Sequence, residues 1–259
     1  MNDPFYADPE AYDLAYGWDS FAETVQLIQR AAQLRGRPVA RALEVGCGPG
    51  RVLRDLAALG LTAIGLDREP GLLAWARRRA GELGLTVETA LADMRDFALA
   101  APVDIALCPL NGVGDLTGPD DLARHLAAVA ANLTPRGVYV VEMSFAPIEK
   151  ECVGRGAPWT MTRGDLRVEA DWRLVDVDGA AGLAIYEARL AIERAGAAPQ
   201  CLISHRVHRK WDQPLLYAQI AASPLVLAGL FAGDLTPLDP GRRLTYADDN
   251  VFVFLQKRA

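Results

Sequence analysis

Residues 42–50 read Ala-Leu-Glu-Val-Gly-Cys-Gly-Pro-Gly, and helical apolar spacing follows at Val52, Leu56 and Leu59. The stretch predicts a short buried strand that ends in a glycine-rich turn and leads into a helix. Glycine permits a sharp backbone turn and lets a ligand approach where a Cβ would otherwise stand. The first turn of a helix favours an anionic group, so this turn is a candidate binding site.

The spacing of the three glycines limits the kind of ligand. Gly46, Gly48 and Gly50 are separated by single residues, whereas the dinucleotide-binding turn has the spacing GxGxxG. Pro49 also removes one amide donor, and Glu44 stands two positions before the first glycine. A ligand with a carboxylate or an amino acid moiety therefore fits better than a pyrophosphate, which disfavours an NAD dehydrogenase. A tight turn without any ligand remains the alternative.

Short apolar runs alternate with helical patterns on both sides of this turn. The runs occupy 42–45, 61–66, 103–107 and 138–141, and a last one occupies 251–255. Runs without polar alternation are typical of strands covered on both faces of a parallel sheet. The order of strands and helices predicts an open doubly wound α/β sheet, to which the last run returns.

The rhythm changes after Met161. Residues 166–174 and 186–192 alternate apolar and charged side chains around a turn signal at 178–179, which predicts antiparallel strands with one wet face. Residues 201–211 are predicted as a third strand. We expect its more apolar face to carry Ile203, His205, Val207 and Trp211, and its wet face to carry His208. Helical sequence is predicted from 213 to 231, with an interruption at Pro224.

Composition excludes several classes of protein. The 259 residues contain 27 basic and 33 acidic side chains, and 27 minus 33 is a net charge of −6, which argues against nucleic acid as the main partner. The polar N-terminal segment has no apolar core of a signal peptide. The apolar stretch 221–233 is shorter than the roughly 18–20 residues of a membrane span. Four scattered cysteines indicate neither disulfides nor a zinc site, so we expect a cytoplasmic protein without membrane contact.

Four motifs in order resemble one known family. They are Glu-Val-Gly-Cys-Gly-Pro-Gly at 44–50, Leu-Asp at 66–67, Ala-Asp-Met at 92–94 and Leu-Thr-Pro-Arg-Gly-Val-Tyr-Val-Val at 133–141. Together they resemble the class I S-adenosylmethionine-dependent methyltransferases over about residues 37–145. The resemblance implies a Rossmann-like seven-stranded sheet with helices on both faces and its ligand at the carboxyl ends of the strands. Here an inserted antiparallel β layer is added to that sheet.

The resemblance also implies which residues bind S-adenosylmethionine. Asp67 would accept from the ribose hydroxyls, Asp93 from the adenine amine, and Glu44 would face the methionine ammonium. Leu72 would cover the adenine, although a core leucine fits equally well, and a helix cap or loop acid is the alternative for Asp67. The full predicted set is Tyr16, Glu44, Gly46, Cys47, Gly48, Gly50, Asp67, Arg68, Leu72, Asp93, Met94 and Leu110.

The loop after the fourth strand, Cys-Pro-Leu-Asn-Gly at 108–112, lies where the family places the transferred methyl group. It lacks the [DNS]-P-P-[YF] pattern of methyltransferases that act on DNA bases or glutamine amides, and it lacks the aspartate of Mg²⁺-dependent catechol-type enzymes. Asn111 would line the cofactor or orient a nucleophile, with an ordinary turn residue as the alternative. We therefore predict no metal. The aromatic N-terminal segment with Tyr16 resembles the part that closes over the cofactor, with ordinary packing of a terminal helix as the alternative. Arg30 is a candidate partner for the carboxylate of the cofactor.

The β layer resembles the extension found in sugar N,N-dimethyltransferases and in glycine or sarcosine methyltransferases, where it would cover the active site. On its predicted inner face, beside Trp172, His205 is a candidate general base, and a packed histidine is the alternative. His205 and His208 are three positions apart in a strand, so their side chains diverge and a two-histidine metal site is disfavoured.

The predicted organisation is an N-terminal helical lid at 1–36, a cofactor-binding core at 37–150 and 212–259, and an inserted β layer at 151–211. The predicted function is metal-independent transfer of a methyl group to a nitrogen or oxygen of a small metabolite, mainly by proximity and orientation, with S-adenosylhomocysteine as product. An RNA or protein methyltransferase and an inactive cofactor-binding protein remain alternatives. A homodimer is one possible assembly.

Overall fold

The computed structural model describes residues 3–18, 20–145, 152–244, 248 and 250–258. The helices of this part are α1 Pro9–Ala15, α2 Phe21–Arg35, α3 Arg51–Ala58, α4 Pro70–Glu82, α5 Asp121–Asn132 and α6 Gln213–Ala222, with short 3₁₀ helices at Pro4–Tyr6 and Gly112–Asp115. The strands are β1 Arg41–Val45, β2 Thr62–Asp67, β3 Glu88–Leu91, β4 Val103–Cys108, β5 Leu133–Met143, β6 Trp159–Arg163, β7 Leu166–Asp178, β8 Leu183–Arg194, β9 Gln200–Arg209, β10 Leu225–Ala232 and β11 Val251–Lys257.

The larger sheet has seven strands in the order β10-β11-β5-β4-β1-β2-β3. Strands β1 to β5 are parallel, whereas β11 pairs antiparallel with β5, and β10 antiparallel with β11. Neighbouring residues of β1 point to opposite faces, since Ala42 packs in one apolar cluster and Leu43 in another. Helices α2, α3 and α4 cover the first face, and α5 and α6 cover the second. The predicted doubly wound α/β sheet is thus confirmed.

The prediction of helix from 213 to 231 is wrong in its second half. Helix α6 ends at Ala222, Ser223 is extended, and residues 225–232 form strand β10. A proline disfavours helical backbone in the residue before it, which ends the helix ahead of Pro224. The apolar run that follows satisfies its backbone by pairing with β11. Short apolar runs suit a buried strand and a buried helix equally, so periodicity alone did not separate the two.

The smaller sheet is antiparallel, with the strand order β6-β7-β8-β9. The predicted antiparallel meander is confirmed, and β6 is an additional strand. Helix α1 and the 3₁₀ helix at Pro4–Tyr6 supply Phe5, Ala11 and Leu14 to an apolar cluster with the inner side chains of β7 and β8. The alternation read from the sequence therefore arises because one face of this sheet is covered by the N-terminal segment.

The described residues fall into two compact units. One contains 3–18 and 152–209, and the other contains 20–145 and 210–258 with its gaps. The segment predicted as a lid, 1–36, contributes to both, since α1 belongs to the first unit and α2 to the second. Its role as a lid stays a prediction. Within the described ranges, no helix is both long and apolar enough to cross a membrane.

Candidate active site

The glycine-rich turn joins β1 to α3 at the carboxyl edge of the parallel strands. Gly46, Gly48 and Gly50 have φ angles of 68°, 50° and 78°, all in the left-handed region that side chains with a Cβ avoid. At Gly50 a Cβ would also lie 2.9 Å from the Cβ of Ala76 on α4. The spacing of the glycines is therefore a requirement of the turn and of its packing.

Asp67 ends β2, the neighbour of β1, and its carboxylate is tied to this turn. The Oδ2 atom accepts a hydrogen bond from the Gly48 amide at 2.8 Å, and Oδ1 accepts from the Glu69 amide at 2.9 Å. Burial raises the pKa of Asp67, and these amides oppose the shift. The Arg68 amide is a further donor, so the two oxygens, which can accept about four hydrogen bonds in total, keep an acceptor position for a ligand hydroxyl.

Glu44 lies on β1 with only 3 % of its surface exposed. Its Oε2 atom accepts a hydrogen bond from the Leu53 amide at 2.6 Å, so the side chain caps the first turn of α3. Burial raises the pKa of Glu44 to about 8, although Arg51 and Arg54 act in the opposite direction. Glu44 thus caps α3, and its predicted position opposite the ammonium group of a bound ligand stays a prediction.

Asp93 follows β3 and is held by Arg95, a residue that the sequence analysis did not single out. Its Oδ1 atom accepts from Arg95 Nε at 2.9 Å and from the Arg95 backbone amide at 2.8 Å. A second guanidinium nitrogen donates to Oδ2, and Arg95 also pairs with Asp121 at 3.2 Å. The Arg95 hydrogen bond lowers the pKa of Asp93 to about 2. In the sequence, the signal for this ion pair is the basic residue two positions after the acid.

The loop after β4 has two consecutive side chains in the left-handed region. Leu110 and Asn111 have φ angles of 53° and 55°, which is uncommon outside glycine. The Leu110 amide donates to Oε2 of Glu142 at 2.7 Å, and the Ser144 amide donates to Asn111 Oδ1 at 3.5 Å. Both partners come from the carboxyl end of β5 and beyond, so that end holds the loop. Burial raises the pKa of Glu142, which sequence reasoning missed because no local pattern distinguishes it.

The other predicted residues of this unit are placed as follows. The Cys47 thiol is buried against Gly65, and Leu72 is a buried side chain of α4. Met94 comes near the turn, since a Cβ on Gly46 would lie 3.7 Å from Met94 Cε. The Arg68 side chain is exposed, whereas Arg30 lies over the Phe231 ring at 5.0 Å and donates to Gln33.

The larger unit thus brings most of the predicted residues to one edge. The turn, Asp67, Met94 and the loop at Leu110 all follow parallel strands, whose carboxyl ends share that edge. In open α/β sheets, this edge is where ligands bind. Among the residues that the structure describes, no group of three or more His, Cys, Asp or Glu side chains could hold a metal ion.

Tyr16 belongs to an aromatic cluster of the smaller unit. Its hydroxyl accepts a hydrogen bond from Trp172 Nε1, and its ring lies 4.6 Å from Tyr12 and 5.5 Å from Trp159, between centroids. Burial raises the pKa of Tyr16. A role of Tyr16 toward a cofactor stays a prediction.

The predicted faces of β9 are wrong. The His205 side chain is 66 % exposed, with Nε2 at 3.9 Å from Glu187, whereas the His208 ring packs 5.2 Å from Trp172 and 5.7 Å from Tyr186. The reason is that buried Arg206 pairs with Asp3 at 2.8 Å, which turns the even-numbered residues inward.

Ile203 and Val207 are accordingly exposed, although their hydrophobicity suggested the inner face. Trp211 is buried, but it lies beyond β9 and donates to the Val113 carbonyl in the larger unit. The placement of His205 beside Trp172, on which its suggested role as a base depended, is therefore corrected.

The strand order, the left-handed glycines and the acids at successive strand ends define the class I S-adenosylmethionine-dependent methyltransferase fold. Residues 42–137 match a family model described as a methyltransferase domain. Residues 42–137 are therefore similar to a methyltransferase domain, in agreement with the resemblance of the four motifs.

Among curated proteins, the chain is 37 % identical over 142 residues to a dTDP-3-amino-3,6-dideoxy-α-D-glucopyranose N,N-dimethyltransferase of Streptomyces fradiae, covering 53 % of each chain. It is 30 % identical over 145 residues to a dTDP-4-amino-2,3,4,6-tetradeoxy-D-glucose N,N-dimethyltransferase of Saccharopolyspora spinosa, covering 56 % of each. The chain thus spans about half the length of the curated relatives it matches.

Solved structures extend the similarity in fold to nearly the whole chain. DesVI of Streptomyces venezuelae superposes with a TM-score of 0.76 at 22 % identity, covering 98 % of both chains. CalS10 of Micromonospora echinaspora, an amino pentose methyltransferase solved with S-adenosylmethionine, superposes with a TM-score of 0.72 at 23 % identity, covering 96 % of both.

Proposed function

We propose that the protein is an S-adenosylmethionine-dependent methyltransferase that methylates the amino nitrogen of a nucleotide-linked amino sugar. The observation that supports the cofactor is the Asp67 carboxylate held against the glycine turn at the carboxyl edge of the sheet. The amino-sugar acceptor is proposed from the two dimethyltransferase relatives, which act on the 3-amino or 4-amino group of dTDP-linked deoxy sugars.

The residues at this edge fit S-adenosylmethionine. Asp67 keeps acceptor capacity for a ribose hydroxyl, and Asp93 stays partly exposed as an acceptor for an amine. Gly46 leaves open space beside Met94, so a ligand can approach the backbone closely. Glu44 supplies negative charge at the turn when it is ionised.

When bound, the cofactor supplies a methyl group on a positively charged sulfur. The chain's own task is to hold a neutral amine in line with that methyl group and to exclude water, for which proximity and orientation contribute most. The loop at 108–112 is the proposed positioning element, and Asn111 is the side chain proposed to orient the amine. After transfer, the methylated nitrogen releases its extra proton to solvent or to a nearby base.

The test measures the S-adenosylhomocysteine that is formed with dTDP-3-amino-3,6-dideoxyglucose or with the 4-amino analogue as acceptor. We expect turnover with at least one amino sugar, no turnover with dTDP-glucose, and binding of S-adenosylhomocysteine but not of NADH in calorimetry. Binding of S-adenosylhomocysteine without turnover would favour an inactive binding protein or another acceptor. An absence of S-adenosylhomocysteine binding would refute the proposal as a whole.

The alternative acceptors predict different results. Methylation of tRNA with a steep salt dependence would favour an RNA methyltransferase, against which the net charge of −6 argues. We also propose a cytoplasmic location and a homodimer. Light scattering of the purified chain would test the dimer, and a mass near that of one chain would contradict it.

A further inference from the structure

The core of the larger unit contains a chain of polar groups centred on His125. His125 of α5 and Tyr139 of β5 both have an exposed fraction of 0 %. The Nδ1 atom of His125 lies 2.8 Å from the Met94 carbonyl oxygen, and Nε2 lies 2.5 Å from the Tyr139 hydroxyl. The same hydroxyl makes a hydrogen bond with the thiol of Cys108, the last residue of β4. These groups sit among apolar side chains such as Leu126, so leaving any of them unpaired would be costly.

The chemistry of the groups determines where each proton lies. A carbonyl oxygen only accepts, so Nδ1 of His125 must carry the proton that it shares with Met94. Burial lowers the pKa of His125 to about 4, which keeps the ring neutral and leaves Nε2 as an acceptor. Tyr139 must then donate its single hydroxyl proton to Nε2. We call this chain, from Cys108 and Tyr139 through His125 to Met94, the buried relay.

One end of the relay holds a peptide unit that also binds Asp93. The Met94 carbonyl and the Arg95 amide belong to the same planar peptide group. The carbonyl oxygen accepts a hydrogen bond from Nδ1 of His125, and the amide donates to Oδ1 of Asp93 at 2.8 Å. A rotation of this peptide that broke the first bond would therefore also misdirect the second.

The other end of the relay, Cys108, precedes the loop after β4, and no strand pairing connects this loop to the segment that contains Met94. In the strand order, β3 and β4 are separated by β1 and β2, so no backbone pairing aligns the segment after β3 with the loop after β4. Cys108 directly precedes that loop, which contains Leu110 and Asn111. The relay joins the two segments through the side chains of His125 on α5 and Tyr139 on β5.

We propose that His125 and Tyr139 are positioning residues for cofactor binding, which act through the Met94–Arg95 peptide on the Asp93 carboxylate. The proposal rests on the proposed function, because it assigns Asp93 to the adenine side of S-adenosylmethionine. It adds that a histidine with no access to the ligand helps to set the affinity for it.

Calorimetry with S-adenosylhomocysteine tests the proposal on the full chain. His125→Leu removes the donor to Met94 and is expected to weaken binding about tenfold, the scale of one well-placed hydrogen bond. His125→Asn places an amide donor near the position of Nδ1 and is expected to stay within about threefold of wild type. Tyr139→Phe, the smallest change, leaves Nε2 without its donor and is expected to weaken binding about fivefold. Val129→Ala, at a buried position on the same helix, is the matched control that creates a cavity without touching the relay.

A double-mutant cycle separates positioning from general destabilisation. In an Asp93→Ala background, His125→Leu is expected to change affinity less than about twofold, because the group through which it acts is gone. Equal weakening in both backgrounds, or equal weakening by Val129→Ala, would overturn the proposal. So would wild-type affinity in His125→Leu. A wild-type chain that binds no S-adenosylhomocysteine would instead refute the proposed function, and with it the basis of the relay's role.

Discussion

The Asp67 carboxylate accepts a hydrogen bond from the backbone amide of Gly48, 2.8 Å away, and so connects the end of β2 to the turn after β1. Asp67 thereby orders the turn and presents its remaining acceptor positions at the same edge. We expect Asp67→Ala to weaken S-adenosylhomocysteine binding by about 2 kcal/mol, the order of a hydrogen bond to a charged group. Isothermal calorimetry at fixed pH and salt measures the change.

Asp234→Ala is the matched control for this change. Asp234 also accepts from an amide two residues on, that of Thr236 at 2.9 Å, as Asp67 does from Glu69. It is not among the residues proposed to contact the cofactor, so its replacement should leave affinity unchanged. An unchanged affinity in Asp67→Ala would remove Asp67 from the binding site.

Glu44 predicts a pH dependence of stability. Its pKa is raised from an ordinary value of 4.5 to about 8 in the folded chain, so the folded state keeps a proton that the unfolded state loses. The contribution of Glu44 to stability is therefore fully present below about pH 4.5 and is lost as pH rises through about 8. Glu44→Gln should flatten this part of the profile, by up to a few kcal/mol between pH 5 and pH 8.

Urea unfolding at several pH values measures this effect. Glu88→Gln, at an exposed position of β3, should reproduce the wild-type profile. A Glu44→Gln profile parallel to that of wild type would mean that Glu44 is ionised in the folded chain at neutral pH.

The close packing around Gly65 predicts that adding a side chain there lowers stability, which the neighbouring sequence does not show. A Cβ at this position of β2 would lie 2.7 Å from both Cys47 Sγ and Leu53 Cδ2. Gly65→Ala should therefore lower the free energy of unfolding by about 1–3 kcal/mol, as expected for an overpacked core. Gly71→Ala, on α4 with no atom within 4 Å of the added Cβ, should raise it by about 0.5–1 kcal/mol.

Urea midpoints at constant slope compare the two alanine variants. Equal stability of both would show that the turn around Cys47 shifts to accommodate the added methyl group at no cost.

The contact between Glu142 and the loop predicts that removing the carboxylate lowers turnover more than it lowers cofactor affinity. Its carboxylate accepts from the Leu110 amide, beside two left-handed residues whose strain amounts to about 1–3 kcal/mol each. Glu142→Ala should let the loop relax and lower kcat at least about tenfold, while S-adenosylhomocysteine affinity changes less than about twofold. Steady-state product release with the dTDP-linked amino sugar measures kcat.

The conservative variant supplies the control. Glu142→Gln keeps an oxygen that accepts from Leu110, so it should restore most of the turnover. Full activity of Glu142→Ala would show that the loop keeps its conformation without this hydrogen bond.

Features that depend on neighbours in the chain could be predicted from sequence. The glycine turn and Asp67 were found because their backbone and burial requirements follow from the turn and from the end of a buried strand. The faces of β9 could not be read in this way, because buried Arg206 pairs with Asp3, which lies far away in the chain. Strand β10 was predicted as helix because pairing with β11, rather than local propensity, decides its conformation.

By itself, the sequence determined the class of fold, the carboxyl-edge turn and the order of the acids along it, since spacing and hydrophobic periodicity carry that information locally. Only the tertiary structure decided which partners each acid has. Asp67 binds the turn after β1, Glu142 holds the loop at Leu110, and His125 joins two segments that are separated in the strand order. Hydrogen bonds of this kind join residues from different elements, and buried polar groups must find such partners to avoid the cost of desolvation.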